Sequence, residues 1–346
     1  MTRPSVFVFR PVDATGDSHR RMTAAGCDVG VAAECTAAEV LAAARDAHAL
    51  LGATFRGGVM DRVFLEQLAN LRIVAKYTIG VDDIDVEAAT DLGILVTHSP
   101  TEANWGGVAE GTLAMLLALL KKVRERDRVV KSGGWRADDL QGIYCGARAD
   151  GYPGITVGIV GLGRIGRRVA ELLRPWRVRV LAHDPYVATD VFASHGVERV
   201  ALDVLLRSSD VVTLHCNLTR ETRGLMDGAR LASMKRTAVL INTARGPLVD
   251  LDALCAALEG GRLAAAALDV LPVEPPPAGA RILGLGDRVL LFPHMVAANQ
   301  GGTLGAAIPW ATDAVLAALR GEVPEHVYNE EAVAAWRRRF AGRSLF

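Results

Sequence analysis

Thr156-Val157-Gly158-Ile159-Val160-Gly161-Leu162-Gly163-Arg164-Ile165-Gly166 decides the fold of this chain. The first five residues form a continuous apolar run of the kind that makes a strand buried on both faces, and Arg167 to Leu173 continue at helical spacing. Between them stands a Gly-x-Gly-x-x-Gly turn. In that setting Gly161 permits a tight turn, Gly163 lets the backbone approach a pyrophosphate, and Gly166 lets helix and strand pack closely. Arg164 and Ile165 open a helix whose N-terminus then aims at the phosphates. A second strand, Val178 to Ala182, ends at His183-Asp184-Pro185, with Asp184 eighteen residues past Gly166. Asp184 is placed to bind the adenosine ribose hydroxyls, and its charge would repel the 2′-phosphate of NADP, so NAD is the expected cofactor. Arg179 and His183 act weakly against that preference. His215 ends a further strand and is expected to line the cofactor cleft.

Working outward, short apolar runs alternate with longer alanine- and leucine-rich segments, the pattern of repeated βα units around parallel sheets. Strands are expected at residues 5–9, 48–52, 72–76, 94–97, 156–160, 178–182, 210–214, 238–242, 264–269 and 289–292, with helices filling most of the gaps. The segment from Asn104 to about Lys131 is apolar at helical spacing and then strongly charged, which predicts one long helix connecting two domains. Residues 132–154 are glycine-rich and aperiodic and read as an excursion before a new domain opens at Ile155. A further helical pattern covers about residues 300–320. The expected fold class is α/β with two Rossmann-like domains. Residues 1–103 and 299–346 form a discontinuous, flavodoxin-like outer domain into which a doubly wound, NAD-binding parallel sheet, residues 104–298, is inserted.

Bulk properties narrow the function. A chain of 346 residues exceeds one ordinary core and suggests two domains. Its 39 basic and 39 acidic side chains cancel, which argues against nucleic acid or an anionic membrane as the main partner. The five cysteines, Cys27, Cys35, Cys145, Cys216 and Cys255, are odd in number and never spaced Cys-x-x-Cys, so a reducing cytoplasm is expected. The first residues read as a strand and not a signal peptide. The apolar run from Val108 to Leu120 falls short of the ~20 residues a membrane span needs. No metal-ligand spacing of the His-Glu-x-x-His type occurs, and no Gly-x-Ser-x-Gly elbow.

Three stretches carry the chemistry: Asn242-Thr243-Ala244-Arg245-Gly246-Pro247, Leu268-Asp269-Val270-Leu271-Pro272-Val273-Glu274-Pro275, and Leu291-Phe292-Pro293-His294. An imidazole titrates at about pH 6.5, so a neighbouring carboxylate holds it charged at neutrality and ready to give a proton to a carbonyl oxygen. A guanidinium grips a carboxylate through two parallel hydrogen bonds. Arg245, Glu274 and His294 therefore read as anion clamp, orienting acid and proton relay for reduction of a 2-oxo acid.

With the glycine turn, Lys76-Tyr77-Thr78-Ile79-Gly80-Val81-Asp82-Asp83-Ile84-Asp85, Asn104 through Val108-Ala109-Glu110, and Gly134-Trp135, these stretches resemble the D-isomer-specific 2-hydroxyacid dehydrogenase family over about residues 50–329. The resemblance implies an outer substrate domain, a Rossmann NAD domain, an active site in the cleft between them, and a homodimer formed through the NAD domains. It implies catalytic roles for Arg245, Glu274 and His294, and a substrate carboxylate held by backbone amides of Thr78, Ile79 and Gly80. Asn104 is expected on the substrate side, Thr243 and Ala244 on the cofactor, and Asp269 near its nicotinamide end.

The chain departs from the family pattern at Asn217, where proline is frequent, and at Met295-Val296-Ala297-Ala298, where glycines often follow the histidine. Ile79 stands where phosphite-oxidising members need a lysine, which disfavours that chemistry. Lys76 stands where phosphoglycerate-type members carry an arginine. Lys76 and Arg56 are either contacts to a second anionic group on the substrate, as in 3-phosphoglycerate, or ordinary surface cations. The alternative to an enzyme is an NAD(H)-sensing scaffold resembling the C-terminal-binding-protein corepressors, since fold alone does not decide function.

Overall fold

A computed structural model describes residues 3–32, 36–300 and 304–346. Cys35 lies outside the described residues, as does the 301–303 part of the expected 300–320 helix. The chain divides into two compact units, one made of Met1–Asn104 with Asn299–Phe346, the other of Trp105–Ala298.

The first unit holds a five-stranded sheet built from β1 (Ser5–Phe9), β2 (Asp28–Ala32), β3 (Ala49–Gly52), β4 (Ile73–Lys76) and β5 (Leu95–Thr97). The order is β2-β1-β3-β4-β5, with all pairings parallel, as in flavodoxin-like folds. Alternate residues feed two cores. Val6 and Val8 of β1 face the helix Ile308–Arg320 through Val315 and Leu319, whereas Phe7 and Phe9 face Phe64, Leu65 and Leu68.

The second unit holds β6 (Thr156–Val160), β7 (Arg179–His183), β8 (Glu198–Arg199), β9 (Val211–Leu214), β10 (Val239–Asn242), β11 (Ala265–Leu268) and β12 (Val289–Leu291). Their order, β12-β11-β10-β9-β6-β7-β8, is the doubly wound arrangement, and the chain reverses direction across the sheet between β6 and β9. Val157 and Ile159 pack into one core, and Val212, Leu214 and Leu240 into the other, which explains why these strands are apolar without alternation.

Ten of the twelve strands among the described residues coincide with the expected ones to within about two residues. The other two are edge strands. β2, Asp-Val-Gly-Val-Ala, has a mostly exposed pattern, and β8 is two exposed residues long, so neither writes an apolar run into the sequence. The expected single helix from Asn104 to Lys131 is corrected to two, Glu102–Leu120 and Val123–Lys131. Lys122 takes a left-handed φ of 52°, and the Leu120 carbonyl accepts the Ile143 N–H at 2.8 Å instead of continuing the ladder. The first of these helices is also longer than the Val108 to Leu120 run suggested. Its 19 residues are long and apolar enough to cross a membrane by length and composition, yet Ala109, Met115, Leu116, Leu119 and Leu120 are spent on the core of the second unit.

Candidate active site

The glycine turn sits at the carboxyl end of β6, beside β9, where the strand order reverses and doubly wound folds bind ligands. Gly161 has φ 94°, and a Cβ there would lie 2.6 Å from the Cys216 nitrogen and 2.7 Å from the His215 carbonyl carbon. At Gly163, by contrast, an added Cβ would meet nothing within 4 Å, so this turn is open where a pyrophosphate must approach. Gly163 is the N-cap of the helix Arg164–Leu173, with Arg164 exposed and Ile165 half-buried in its first turn. Gly166 packs on the Gly161 carbonyl oxygen, 2.2 Å from its would-be Cβ. These features fit a bound dinucleotide.

Asp184 follows β7 and is half-buried. One carboxylate oxygen accepts the Leu162 N–H at 2.8 Å and the other the Tyr186 N–H at 3.0 Å, so it ties the glycine turn to the neighbouring strand end. His215 pairs its Nε2 with the Thr213 hydroxyl at 2.9 Å, while its Nδ1 is buried without a hydrogen-bond partner among the described residues. Burial pushes this imidazole down to about 3, so it is neutral and cannot serve as a proton donor at physiological pH. Thr243 is buried, with its hydroxyl 3.1 Å from that of Thr112, and Ala244 is half-buried beside it.

The three acid–base and anion-binding residues come from the ends of β10, β11 and β12. His294 Nδ1 lies 2.7 Å from Glu274 Oε2, and the other oxygen of Glu274 accepts the Leu271 N–H at 2.8 Å. The hydrogen bond to Glu274 is the main reason that the His294 pKa rises above its ordinary value, outweighing burial and the opposing charge of Arg245. Burial works against the Glu274 charge, but the His294 hydrogen bond and the Leu271 amide outweigh it and hold the carboxyl below its usual range. Arg245 is near enough for its charge to act on both, and its Nη1 donates to the Ala244 carbonyl at 2.7 Å.

Three supporting roles were not read from the sequence, one of them belonging to Asp269, which was expected only near the cofactor. Asn242, 1% exposed, donates to the Arg245 carbonyl at 2.8 Å and accepts the Ala244 N–H at 3.0 Å, bracing the arginine turn. Gly246 abuts the Leu271-Pro272 backbone. Asp269 accepts the Met295 N–H at 2.9 Å, and its own carbonyl accepts the His294 N–H at 2.8 Å. Asp269 therefore holds His294 in its left-handed φ of 55°, a conformation rare for a residue with a side chain. Burial raises the Asp269 carboxyl despite its hydrogen bonds from the Val296 and Met295 amides. The only signal for Gly246 was a glycine next to Arg245, which says nothing about contacts to a stretch some 25 residues on, and the signal for Asn242 was a polar residue three positions before Arg245.

In the first unit, Thr78, Ile79 and Gly80 form a half-buried turn after β4. The Thr78 hydroxyl donates to the Gly80 carbonyl at 2.8 Å, and the Ile79 and Gly80 N–H groups have no protein acceptor among the described residues. Asn104 is half-buried near the start of its helix. Lys76 corrects the surface-cation reading of it. Its side chain is 0% exposed, and its ammonium is bound to the Asp83 carboxylate and the Ala53 carbonyl. Arg56 is exposed.

Comparison with known proteins shows the family. The NAD binding domain of D-isomer specific 2-hydroxyacid dehydrogenases matches residues 113–296. The chain is 37% identical over 341 residues to a glyoxylate reductase of Thermofilum pendens, covering 96% of each. It is 38% identical over 256 residues to a D-3-phosphoglycerate dehydrogenase of Archaeoglobus fulgidus, an alignment spanning 74% of this chain and 47% of that longer relative. Among solved structures, a D-lactate dehydrogenase from Aquifex aeolicus complexed with NAD and lactic acid is 27% identical, with a TM-score of 0.78 over 92% of this chain and 96% of that one. These relatives carry enzyme names and lend the scaffold alternative no support. The glycine turn, the doubly wound sheet and the matching relatives together place the chain in the D-isomer-specific 2-hydroxyacid dehydrogenase family, NAD-binding oxidoreductases that act on CH–OH groups.

Proposed function

We propose that this chain reduces a small 2-oxo acid to the D-2-hydroxy acid, and runs the reverse oxidation, with Arg245, Glu274 and His294 as its catalytic residues. The observation that carries the reading is the 2.7 Å His294–Glu274 contact with the Arg245 charge acting on both partners. The Gly161–Gly166 turn would hold the nicotinamide cofactor, with Asp184 toward its ribose and Asp269 toward its other end, and the chemistry it would supply is hydride transfer to or from C2. Arg245 takes the substrate carboxylate and polarises the keto oxygen. His294, as imidazolium, gives that oxygen its proton, and Glu274 keeps the ring charged and oriented. In the first unit, the free amides of Ile79 and Gly80 support a share in binding the carboxylate.

The burial of Lys76 removes one of the two cations that would have met a second anionic group. That favours a small substrate, glyoxylate or hydroxypyruvate, over 3-phosphoglycerate, in line with the name of the Thermofilum pendens relative. Following NADH absorbance across glyoxylate, hydroxypyruvate, phosphohydroxypyruvate and branched 2-oxo acids tests this, with glyoxylate or hydroxypyruvate expected to give the highest kcat/KM. Tight NADH binding with no turnover of any of them would sink the enzymatic reading.

A homodimer belongs to the same proposal. Val123, Val130, Trp135, Ile143 and Tyr144 leave large apolar side chains exposed within one short stretch of the second unit, which supports a covered face. Sedimentation equilibrium is expected to return twice the 36.8 kDa chain mass, and a monomer at micromolar concentration would contradict it.

A further inference from the structure

Lys76 and Asp83 form a buried ion pair that the proposed chemistry does not use. A fully buried lysine costs free energy unless each of its donors is met, so its surroundings report what it is for. Its ammonium donates to the Asp83 carboxylate and to the Ala53 carbonyl, and lies 5.2 Å from the centre of the Phe9 ring. The same Asp83 oxygen also accepts the Phe55 N–H at 2.5 Å. Around the pair, Ser99 donates its hydroxyl to the Lys76 carbonyl at 2.8 Å and its N–H to the Thr78 carbonyl at 3.0 Å.

The placement of these contacts is specific. Lys76 ends β4, and Asp83 lies seven residues later, so the pair closes the two ends of the turn that carries Thr78, Ile79 and Gly80. Ala53 and Phe55 flank Thr54 in the turn after β3, immediately before Arg56, so the same two side chains also tie that turn to the first. The neighbouring ends of β3 and β4 are joined through one ammonium and one carboxylate.

We propose that Lys76 and Asp83 are positioning residues for substrate binding: their ion pair fixes the backbone of the Thr78–Gly80 turn, and its distance from the Arg56 turn, before the oxo acid arrives. The proposal rests on the reading that the Ile79 and Gly80 amides help hold the substrate carboxylate. A preorganised amide pair binds an anion without reordering cost, and a displacement of about 1 Å is enough to cost up to ~10²-fold.

Lys76→Met alone strands a buried carboxylate and is a poor test if it fails to fold, so the variant of choice is Lys76→Met with Asp83→Asn, which removes both charges at similar volume. In that folded double variant, KM for glyoxylate is expected to rise about tenfold or more, far more than kcat falls, with the NADH Kd unchanged. Lys76→Arg is expected to recover part of the loss. Hydrogen exchange of the peptide spanning residues 77–83 reads the turn without turnover and is expected to quicken about tenfold in the double variant. An unchanged KM in a folded double variant overturns the proposal, whatever its melting temperature, and so does unchanged exchange in that peptide. Absence of glyoxylate and hydroxypyruvate turnover by the unaltered chain would instead remove the functional reading beneath it.

Discussion

Replacing His294 with alanine is expected to lower kcat about 10²–10⁴-fold while leaving the NADH Kd within about twofold. The two quantities separate because the histidine sits after β12, away from the Gly161–Gly166 turn, and because proton transfer is needed only once the keto oxygen is accepting hydride. The pH profile gives a second reading of the same residue. Reduction needs the imidazolium, and the hydrogen bond to Glu274 raises the His294 pKa above its ordinary value. The reductive rate is therefore full below that raised pKa and lost as pH rises through it, while oxidation, which needs the neutral ring, gains over the same interval. Glu274→Gln takes away the charge that raises the pKa, so the descending limb for reduction moves to lower pH. Full turnover by His294→Ala, or a limb that stays in place in Glu274→Gln, would remove His294 from the proton-transfer role.

Much of this was legible because the physics involved is local. A strand buried on both faces must be apolar throughout, and a glycine with positive φ packed against a neighbouring backbone tolerates no substitute, so β6 and its turn announce themselves. The exposed edges β2 and β8 had no such constraint to write. Lys76 was misread for a different reason. Lysine is rarely buried, so the default places it in solvent, and the partner that overrides the default, Asp83, is one of three acidic residues in the same short stretch. Spacing alone does not say which of Asp82, Asp83 and Asp85 turns inward. Gly246 was invisible as a support because its meaning lies in its contact with Leu271 and Pro272, a property of the fold, whereas Asn242 braces its own turn through Ala244 and Arg245, and a polar residue at a strand end does not announce which backbone groups it will hold.

Gly246→Ala is expected to reduce kcat/KM by about 10²-fold or more with NADH still bound normally. A Cβ at this position would lie 2.0 Å from the Leu271 carbonyl carbon, 2.2 Å from its oxygen and 2.4 Å from the Pro272 nitrogen. All three are backbone atoms, so no rotamer change relieves the overlap, and one of the two segments must move. Each carries part of the site. Moving the Gly246 side displaces Arg245, whose carbonyl is held by Asn242. Moving the other side shifts the Leu271 N–H that holds Glu274, and with Glu274 goes the orientation of His294. Arg245 and the His294–Glu274 pair cannot both keep their places. Gly163→Ala makes the informative contrast, since its new methyl group meets no protein atom within 4 Å and its effect should fall on NADH affinity while folding is spared. Gly246→Ala retaining full kcat/KM would mean that the contact of Gly246 with Leu271 and Pro272 does not set the spacing of the three catalytic groups, and opposite losses in the two variants, turnover in one and cofactor affinity in the other, are what that spacing requires.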